Sequence, residues 1–282
     1  MQTLVHLSDL HFGTADTCIV DAIGAEVRAC KPDLVVISGD LTQRARRAEF
    51  RQAREFLDAL PTPQIVVPGN HDVPLFNVLA RTLTPLARYK HYIQADTDPF
   101  FANDELAVVG INTARSFTIK DGRINAGQLA AMTARFAGLA DEITRIVVTH
   151  HPFEGRTFGH EGGVVGRAQM AMEAFSQSRI DVILSGHHHL QQANLSTVRY
   201  AKGPYAALLI QAGTAVSTRR RDAANSFNVI RVERPRIHLE CRAWQEQAKQ
   251  FYTSAIYSFR SGPKGWALDE ASPGPRLKPD RR

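Results

Sequence analysis

Cysteine is scarce in this sequence. The three cysteines, Cys18, Cys30 and Cys241, are odd in number and scattered, and no two of them have the spacing of a zinc-binding motif. This argues against a disulfide framework and favours a reducing compartment, for which the cytoplasm is the default expectation.

Long apolar runs are also missing. No segment approaches the roughly 18 apolar residues that a membrane-spanning helix needs. The opening residues MQTLVHLSDLH lack the positively charged region of a signal peptide. We therefore expect a protein with no membrane span.

The charge balance is basic but gives no clear nucleic-acid module. The chain of 282 residues carries a formal net charge of +6. Part of the excess lies in the last stretch, RLKPDRR, and in two short arginine clusters. No patch interleaves basic and aromatic residues as nucleic-acid modules do, so a solvated basic surface is the simpler interpretation.

Strand-like and helix-like segments alternate through the first part of the chain. Residues 17–31 and 46–60 space apolar residues at three and four between apolar runs, which predicts a βαβαβ unit with parallel strands. Residues 74–93 are helical in pattern but interrupted by Pro85. After residue 190 short strand-like runs follow one another, which predicts a largely antiparallel second half.

The predicted organisation is one catalytic domain over residues 1–260, followed by a tail over 261–282. The tail is rich in proline, glycine and basic residues and shows no sustained period. We expect it to be flexible.

Five of the apolar runs end in residues that bind metals. The runs are LVHLSDLH at 4–11, LVVISGD at 34–40, IVVPGNHD at 65–72, IVVTHH at 146–151 and VILSGHHH at 182–189. In open α/β sheets reactive groups collect beyond the carboxyl ends of the strands, and these residues all lie there. Oxygen and imidazole donors without cysteine favour borderline or hard divalent metals. The candidate ligands are Asp9, His11, Asp40, Asn70, His150, His187 and His189.

The number of candidate ligands indicates two metal ions. Asp9 and His11 are two residues apart and can coordinate one ion together. Asp40, at the end of a buried strand, can bridge two metal ions. His71 follows Asn70 and points toward the substrate side, which makes it the candidate general acid. Asp72 is expected to cap the turn.

Two further histidines are expected to stay outside the ligand set. His151 and His188 each neighbour a candidate ligand in an extended segment and should point to the opposite face. A packing or supporting role is predicted for them.

As a set, the motifs DLH, GD, GNHD, HH and GHHH resemble those of the calcineurin-like metallophosphoesterase superfamily. The resemblance implies a four-layer α/β/β/α sandwich with two mixed central sheets. It also implies in-line attack of a metal-bridging hydroxide on phosphorus, with iron or manganese, or else zinc, as the metals. By this resemblance Asp9, His11, Asp40 and His189 hold one metal, and Asp40, Asn70, His150 and His187 hold the other.

Within the superfamily, HHP at 150–152 and GINTARS at 110–116 resemble the bacterial class III cyclic-nucleotide phosphodiesterases. This implies hydrolysis of a small phosphodiester such as cyclic AMP and allows a homodimer. Candidate substrate contacts are Asn112, Arg115 and His160, the last within a glycine-rich segment, 153–166, that could act as a lid. A role in loop packing is an equal alternative for each of these three residues. Arg44, Arg46 and Arg47 are expected on a solvated helix face.

Three alternatives stay open. One is a UDP-diacylglucosamine pyrophosphatase of the lipid A type, with the apolar 74–95 segment as an acyl-chain surface, although packing of that segment on the core is the simpler expectation. Another is a metal-dependent nuclease, since DNA-repair nucleases of the superfamily share the ligands. The third is a binding scaffold without chemistry, which the complete ligand set disfavours.

Overall fold

The computed structural model describes residues 1–116, 118, 120–155, 163–200, 205–218 and 223–273. Its strands are β1 (Gln2–Leu7), β2 (Leu34–Ser38), β3 (Gln64–Val67), β4 (Phe100–Ala102), β5 (Leu106–Gly110), β6 (Thr144–Val148), β7 (Val182–Ser185), β8 (Gln192–Leu195), β9 (Leu208–Gln211), β10 (Ser226–Glu233), β11 (Arg236–Gln245), β12 (Gln250–Gly262) and β13 (Gly265–Pro273). Its helices are α1 (Thr17–Ala29), α2 (Arg47–Asp58), α3 (Val78–Leu83), α4 (Ala87–Tyr92), α5 (Ala126–Phe136) and α6 (Ala168–Gln177).

The strands of the described ranges form two mixed sheets. The order is β13-β12-β11-β10-β1-β2-β3 in the first and β4-β5-β6-β7-β9-β8 in the second. Strands β1, β2 and β3 are parallel, with α1 and α2 as the crossovers, so the predicted βαβαβ unit is confirmed. Strands β5, β6, β7 and β9 are parallel in the other sheet.

Three hydrophobic cores separate four layers of secondary structure. Side chains alternate across a strand, so Val35 and Ile37 of β2 pack toward α1 and α2, whereas Leu34 and Val36 pack toward the second sheet. A third core fills the space between the second sheet and helices α5 and α6. The α/β/β/α sandwich implied by the sequence motifs is therefore confirmed.

The predicted antiparallel second half is confirmed for β10 to β13, which form successive antiparallel pairs. Strand β9 is the exception, because it lies parallel to β7 in the second sheet. The chain thus finishes the second sheet before it returns to the first.

The flexible-tail prediction is wrong for residues 261–262, which end β12, and for residues 265–273, which form β13 and pair with β12. Trp266 is only 2% exposed, and its Nε1 donates to Oδ1 of the buried Asp181 at 2.8 Å. Gly262, Pro263 and Gly265, three of the residues that suggested a tail, lie at the turn between the two strands, because Gly262 pairs with Gly265. Residues 274–282 of the predicted tail lie outside the described residues.

The predicted interruption at Pro85 is confirmed, because α3 ends before it and α4 begins after it. The expectation that this segment packs on the core holds only in part. Tyr89 of α4 is fully buried and its hydroxyl donates to the Val66 carbonyl at 2.9 Å. Helix α3 has no buried residue.

None of the helices in the described ranges combines the length and the apolar character that crossing a membrane requires.

Candidate metal centre

The candidate ligands from both sheets meet at one place. Asp9, Asp40 and Asn70 follow β1, β2 and β3, while His150 and His187 follow β6 and β7. Because these strands are parallel within each sheet, their carboxyl ends share one edge, and the two edges face the same crevice. Donor atoms come within 4.8 Å of one another in groups that include Asp9, His11 and His189, and Asp9, Asp40 and His150.

The ligand loops have an unusual backbone conformation. Asp9, His11, Asp40, His187 and His189 all have positive φ angles, between 48° and 72°. For residues other than glycine this left-handed conformation costs roughly 1–2 kcal/mol each. Such strain typically collects at functional sites, where the surrounding structure fixes it.

Two glycines of the motifs are required by close packing. A Cβ atom on Gly69 would lie 2.1 Å from Oδ1 of Asp40, and one on Gly186 would lie 1.8 Å from Oγ of Ser8. Neither site has room for a methyl group. The glycines before Asn70 and His187 therefore let the loops of different strands touch.

The first cluster consists of Asp9, His11 and His189, all buried. Nε2 of His11 lies 3.1 Å from Nε2 of His189. Oδ1 of Asp9 lies 3.2 Å from the same His189 nitrogen. Among the described residues Asp9 Oδ1 has no aligned hydrogen-bond donor. Its partner atom Oδ2 is held by the Ser8 hydroxyl at 2.6 Å and the His187 amide at 2.9 Å. Three electron-pair donors thus converge on one point, which fits a cation.

The second cluster centres on His150. Its Nδ1 lies 2.8 Å from the Ser38 carbonyl, and a carbonyl only accepts, so Nδ1 carries the proton. In the neutral ring the Nε2 lone pair then faces Asn70 Oδ1 at 3.1 Å, Asp40 Oδ2 at 3.3 Å and His187 Nδ1 at 3.3 Å. Asp40 Oδ2 and Asn70 Oδ1 are both acceptors, so positive charge is favoured where these atoms meet, which fits a second cation.

The pKa shifts of Asp9 and His150 also indicate that the site favours a positive charge. Burial opposes protonation of His150, but the adjacent Asp40 carboxylate outweighs it and raises the pKa of His150 to about 9. Burial also opposes ionisation of Asp9, yet His189 and His11 hold its pKa well below the usual range. Burial and the neighbouring His150 lower the pKa of His187 to about 3, which keeps that imidazole neutral, as a metal ligand must be.

Asp40 connects the two clusters. Its Oδ2 lies 3.3 Å from His150 Nε2 and 3.8 Å from His11 Nε2. Its Oδ1 accepts the His71 amide at 2.8 Å, which fixes the carboxylate plane. One carboxylate therefore reaches both candidate cation positions.

His71 lies beside the clusters, with its ring 4.8 Å from that of His11. Its Nδ1 is 2.8 Å from the Gln43 carbonyl and must donate to it, so Nε2 is the nitrogen left for proton transfer. Asp72 accepts the amide of Gly69 at 2.9 Å and that of Thr42 at 2.9 Å, which agrees with its predicted turn-capping role.

His151 supports a loop. Its ring lies near His150 and His187, but its Nδ1 pairs with Thr113 Oγ1 at 2.7 Å and its Nε2 lies 3.0 Å from the Lys120 carbonyl. Both ring nitrogens are thus engaged. His188 is buried at 3% exposure.

A cavity of about 360 Å³ opens onto the clusters. Sequence reasoning did not place Gln43, Val73 or Lys120 at the site, because no motif marks them, and it considered Leu75 and Phe76 only as part of the 74–95 segment in one alternative. Arg44, which was expected on a solvated face, also lines the cavity, and its guanidinium lies over the Phe76 ring at 5.2 Å. The described residues that line it are Asp40, Gln43, Arg44, Asn70, His71, Val73, Leu75, Phe76, Lys120, His187 and His189.

The candidate substrate contacts are placed differently. Asn112 Oδ1 accepts the Ala114 amide at 2.9 Å, and Arg115 donates to Gln128 Oε1 at 2.7 Å. Neither is among the described residues that line the cavity, so the hydrogen bonds favour the loop-packing alternative for both. His160 and most of the predicted lid lie outside the described residues.

The comparisons with known proteins agree on one family. A model of the calcineurin-like phosphoesterases matches residues 2–191. A probable cyclic nucleotide phosphodiesterase of Synechococcus is 23% identical over 198 residues, or 66% of this chain and 73% of that protein. A glycerophosphodiester phosphodiesterase of Enterobacter lignolyticus is 27% identical over 233 residues, 73% of this chain and 76% of its own length. A cAMP/cGMP dual specificity phosphodiesterase of Mycobacterium tuberculosis is 26% identical over 253 residues, 81% and 75% of the two chains.

Solved structures agree on the fold. A dimetal phosphatase from Danio rerio superposes with a TM-score of 0.63 at 14% identity and covers 86% of this chain and 96% of its own. A purple acid phosphatase from yellow lupin superposes with a TM-score of 0.65 at 12% identity over 91% of this chain, which corresponds to 53% of the lupin chain. At these identities the comparison establishes the architecture alone.

Proposed function

Since the chain belongs to the calcineurin-like phosphoesterase family, and is therefore a metal-dependent phosphoester hydrolase, we propose that it hydrolyses a small phosphodiester, with a cyclic nucleotide such as cyclic AMP as the substrate. The observation that carries the proposal is the pair of donor clusters that share Asp40 at the cavity.

We assign one metal to Asp9, His11, Asp40 and His189, and the other to Asp40, Asn70, His150 and His187. When bound, a pair of divalent ions polarises a phosphoryl oxygen and lowers the pKa of water so that hydroxide is available near neutral pH. Imidazole and carboxylate donors without thiolate suit iron or manganese, with zinc as the alternative.

His71 supplies the mobile proton in this proposal. Its Nδ1 is committed to the Gln43 carbonyl, so the ring is held in one orientation with Nε2 as the exchanging atom. A protonated Nε2 gives its proton to the leaving alkoxide oxygen as the ester bond breaks. The backbone amide of the same residue fixes Asp40, which couples the position of the acid to that of the clusters.

Two cations of the cavity complement the substrate. Arg44 and Lys120 line it. The backbone carbonyl of Lys120 lies 3.0 Å from Nε2 of His151, which helps to position Lys120. A phosphodiester carries one negative charge, which both side chains attract. Their role is to orient the phosphate before the chemical step.

The names of two relatives support the cyclic nucleotide, whereas that of the Enterobacter relative supports a second candidate, a glycerophosphodiester. The test is the ratio of kcat/KM for cyclic AMP and for glycerophosphoethanolamine, with manganese added. A higher value for cyclic AMP is expected. A higher value for the glycerophosphodiester would select the second candidate, and cleavage of monoesters alone would refute both.

A further inference from the structure

An exposed apolar surface lies on α3 and the residues before it. Half of the large hydrophobic side chains that are exposed in the described part of the chain fall within residues 75–83. Phe76 is 72% exposed, Leu79 is 71% exposed and Leu83 is 69% exposed. Contiguous exposed apolar side chains in a protein typically mark a binding surface. We call this surface, formed by Leu75, Phe76, Val78, Leu79 and Leu83, the apolar rim.

The orientation of the apolar rim is held by specific contacts. Arg81 donates to the Ser116 carbonyl at 2.6 Å, to the Thr118 carbonyl at 2.6 Å and to the Pro74 carbonyl at 3.2 Å. The Asn77 side chain caps α3 by accepting the Ala80 amide. The charged residue of α3 therefore faces the protein while its apolar residues face outward, which is the reverse of an ordinary surface helix.

The apolar rim and the cavity are continuous. Leu75 and Phe76 belong to both, since each is exposed and each lines the cavity that contains His71. Arg44, stacked over Phe76, and Lys120 line the same cavity. An anionic phosphodiester at the donor clusters is therefore bordered by cations and, further out, by an apolar surface.

We propose that the apolar rim binds an apolar ester group, so that the site also takes phosphodiesters carrying a hydrocarbon chain or ring. The inference rests on the proposed phosphodiesterase function and extends its substrate class to diesters with an apolar ester group, which cyclic AMP lacks. We assign the rim to a group of the substrate, and not to another protein, because the rim is continuous with the wall of the cavity. A second copy seated on the rim would cover the mouth of the cavity, and this is one outcome of the test.

The test uses alkyl p-nitrophenyl phosphates from methyl to octyl, with manganese and at concentrations below micelle formation. For the natural chain kcat/KM should rise with chain length, by at most about fourfold for each methylene that the rim buries. The double variant Phe76→Ser/Leu79→Ser should flatten this rise. Both side chains are largely exposed, so their loss leaves no internal cavity. Val198→Ser, at an exposed apolar position outside the rim and the lining residues, is the matched control and should keep the rise.

Three results would overturn the inference while the phosphodiesterase proposal stands. They are equal kcat/KM for the methyl and octyl esters, an unchanged rise in the double variant, and a natural chain that sediments as a dimer while the double variant sediments as a monomer. Failure to hydrolyse any ester of the series, or bis(p-nitrophenyl) phosphate, would refute the proposed function itself.

Discussion

At the scale of single residues, the ring nitrogen that carries the proton decides what each histidine of the site can bind. His150 and His71 each commit Nδ1 to a backbone carbonyl, of Ser38 and Gln43 respectively. Because a carbonyl can only accept, both rings keep Nε2 for the site. His150 Nε2 points among oxygen acceptors and suits a cation, whereas His71 is left to exchange a proton. Under the proposed function, similar backbone contacts thus leave the two histidines in different roles.

Replacing His71 by alanine should separate catalysis from metal binding. We expect kcat for cyclic AMP, whose leaving group is an alkoxide, to fall about 100-fold to 10,000-fold, the usual effect of losing a general acid. The metal content should stay at the natural value, because His71 is outside the assigned ligand set. Steady-state kinetics and elemental analysis of the same sample measure both quantities. Undiminished kcat would refute the proton-transfer role.

Replacing Asp40 by alanine should deplete metal at both positions, because its carboxylate reaches His11 and His150 alike. Asn70→Ala should affect only the cluster that contains His150. Elemental analysis after removal of free ions measures the difference. Asp58→Ala removes an exposed carboxylate of α2 and is the control, for which no loss is expected. Full metal content in Asp40→Ala would contradict the shared-ligand assignment.

At the scale of elements, the strands that carry the site follow from the sequence and some of their neighbours do not. Strands β1, β2, β3, β6 and β7 are buried apolar runs, and their ligands follow at fixed positions, so local pattern is sufficient. Strand β13 was missed because its residues 267–271 are exposed and Trp266 is the one large side chain that it buries among the described residues. The exposure of α3 was missed because periodicity reveals an apolar face but not what covers it.

Trp266 should contribute strongly to stability if β13 is part of the fold. Trp266→Ala is expected to lower the free energy of unfolding by about 3–5 kcal/mol, the usual cost of truncating a buried tryptophan. Trp266→Phe keeps most of the packing but loses the hydrogen bond to Asp181, and should cost about 1 kcal/mol. Denaturant unfolding measures both. Unchanged stability in both variants would restore the flexible-tail interpretation.

At the scale of the whole molecule, the sandwich assembles a centre that neither sheet can form alone. The first sheet supplies Asp9, Asp40 and Asn70, and the second supplies His150 and His187. The core between the sheets fixes their separation, so the distances between donors depend on packing far from the site. The sequence indicated the candidate ligands, which the structure brings together, whereas the cavity lining depends on this assembly and needed the structure.

The most direct test of the central claim is the number of metal ions per chain, measured together with activity on bis(p-nitrophenyl) phosphate as metal is removed and restored. The account predicts two ions per chain, loss of hydrolysis on treatment with a chelator, and recovery when manganese is added. Hydrolysis that persists after both ions have been removed would contradict it.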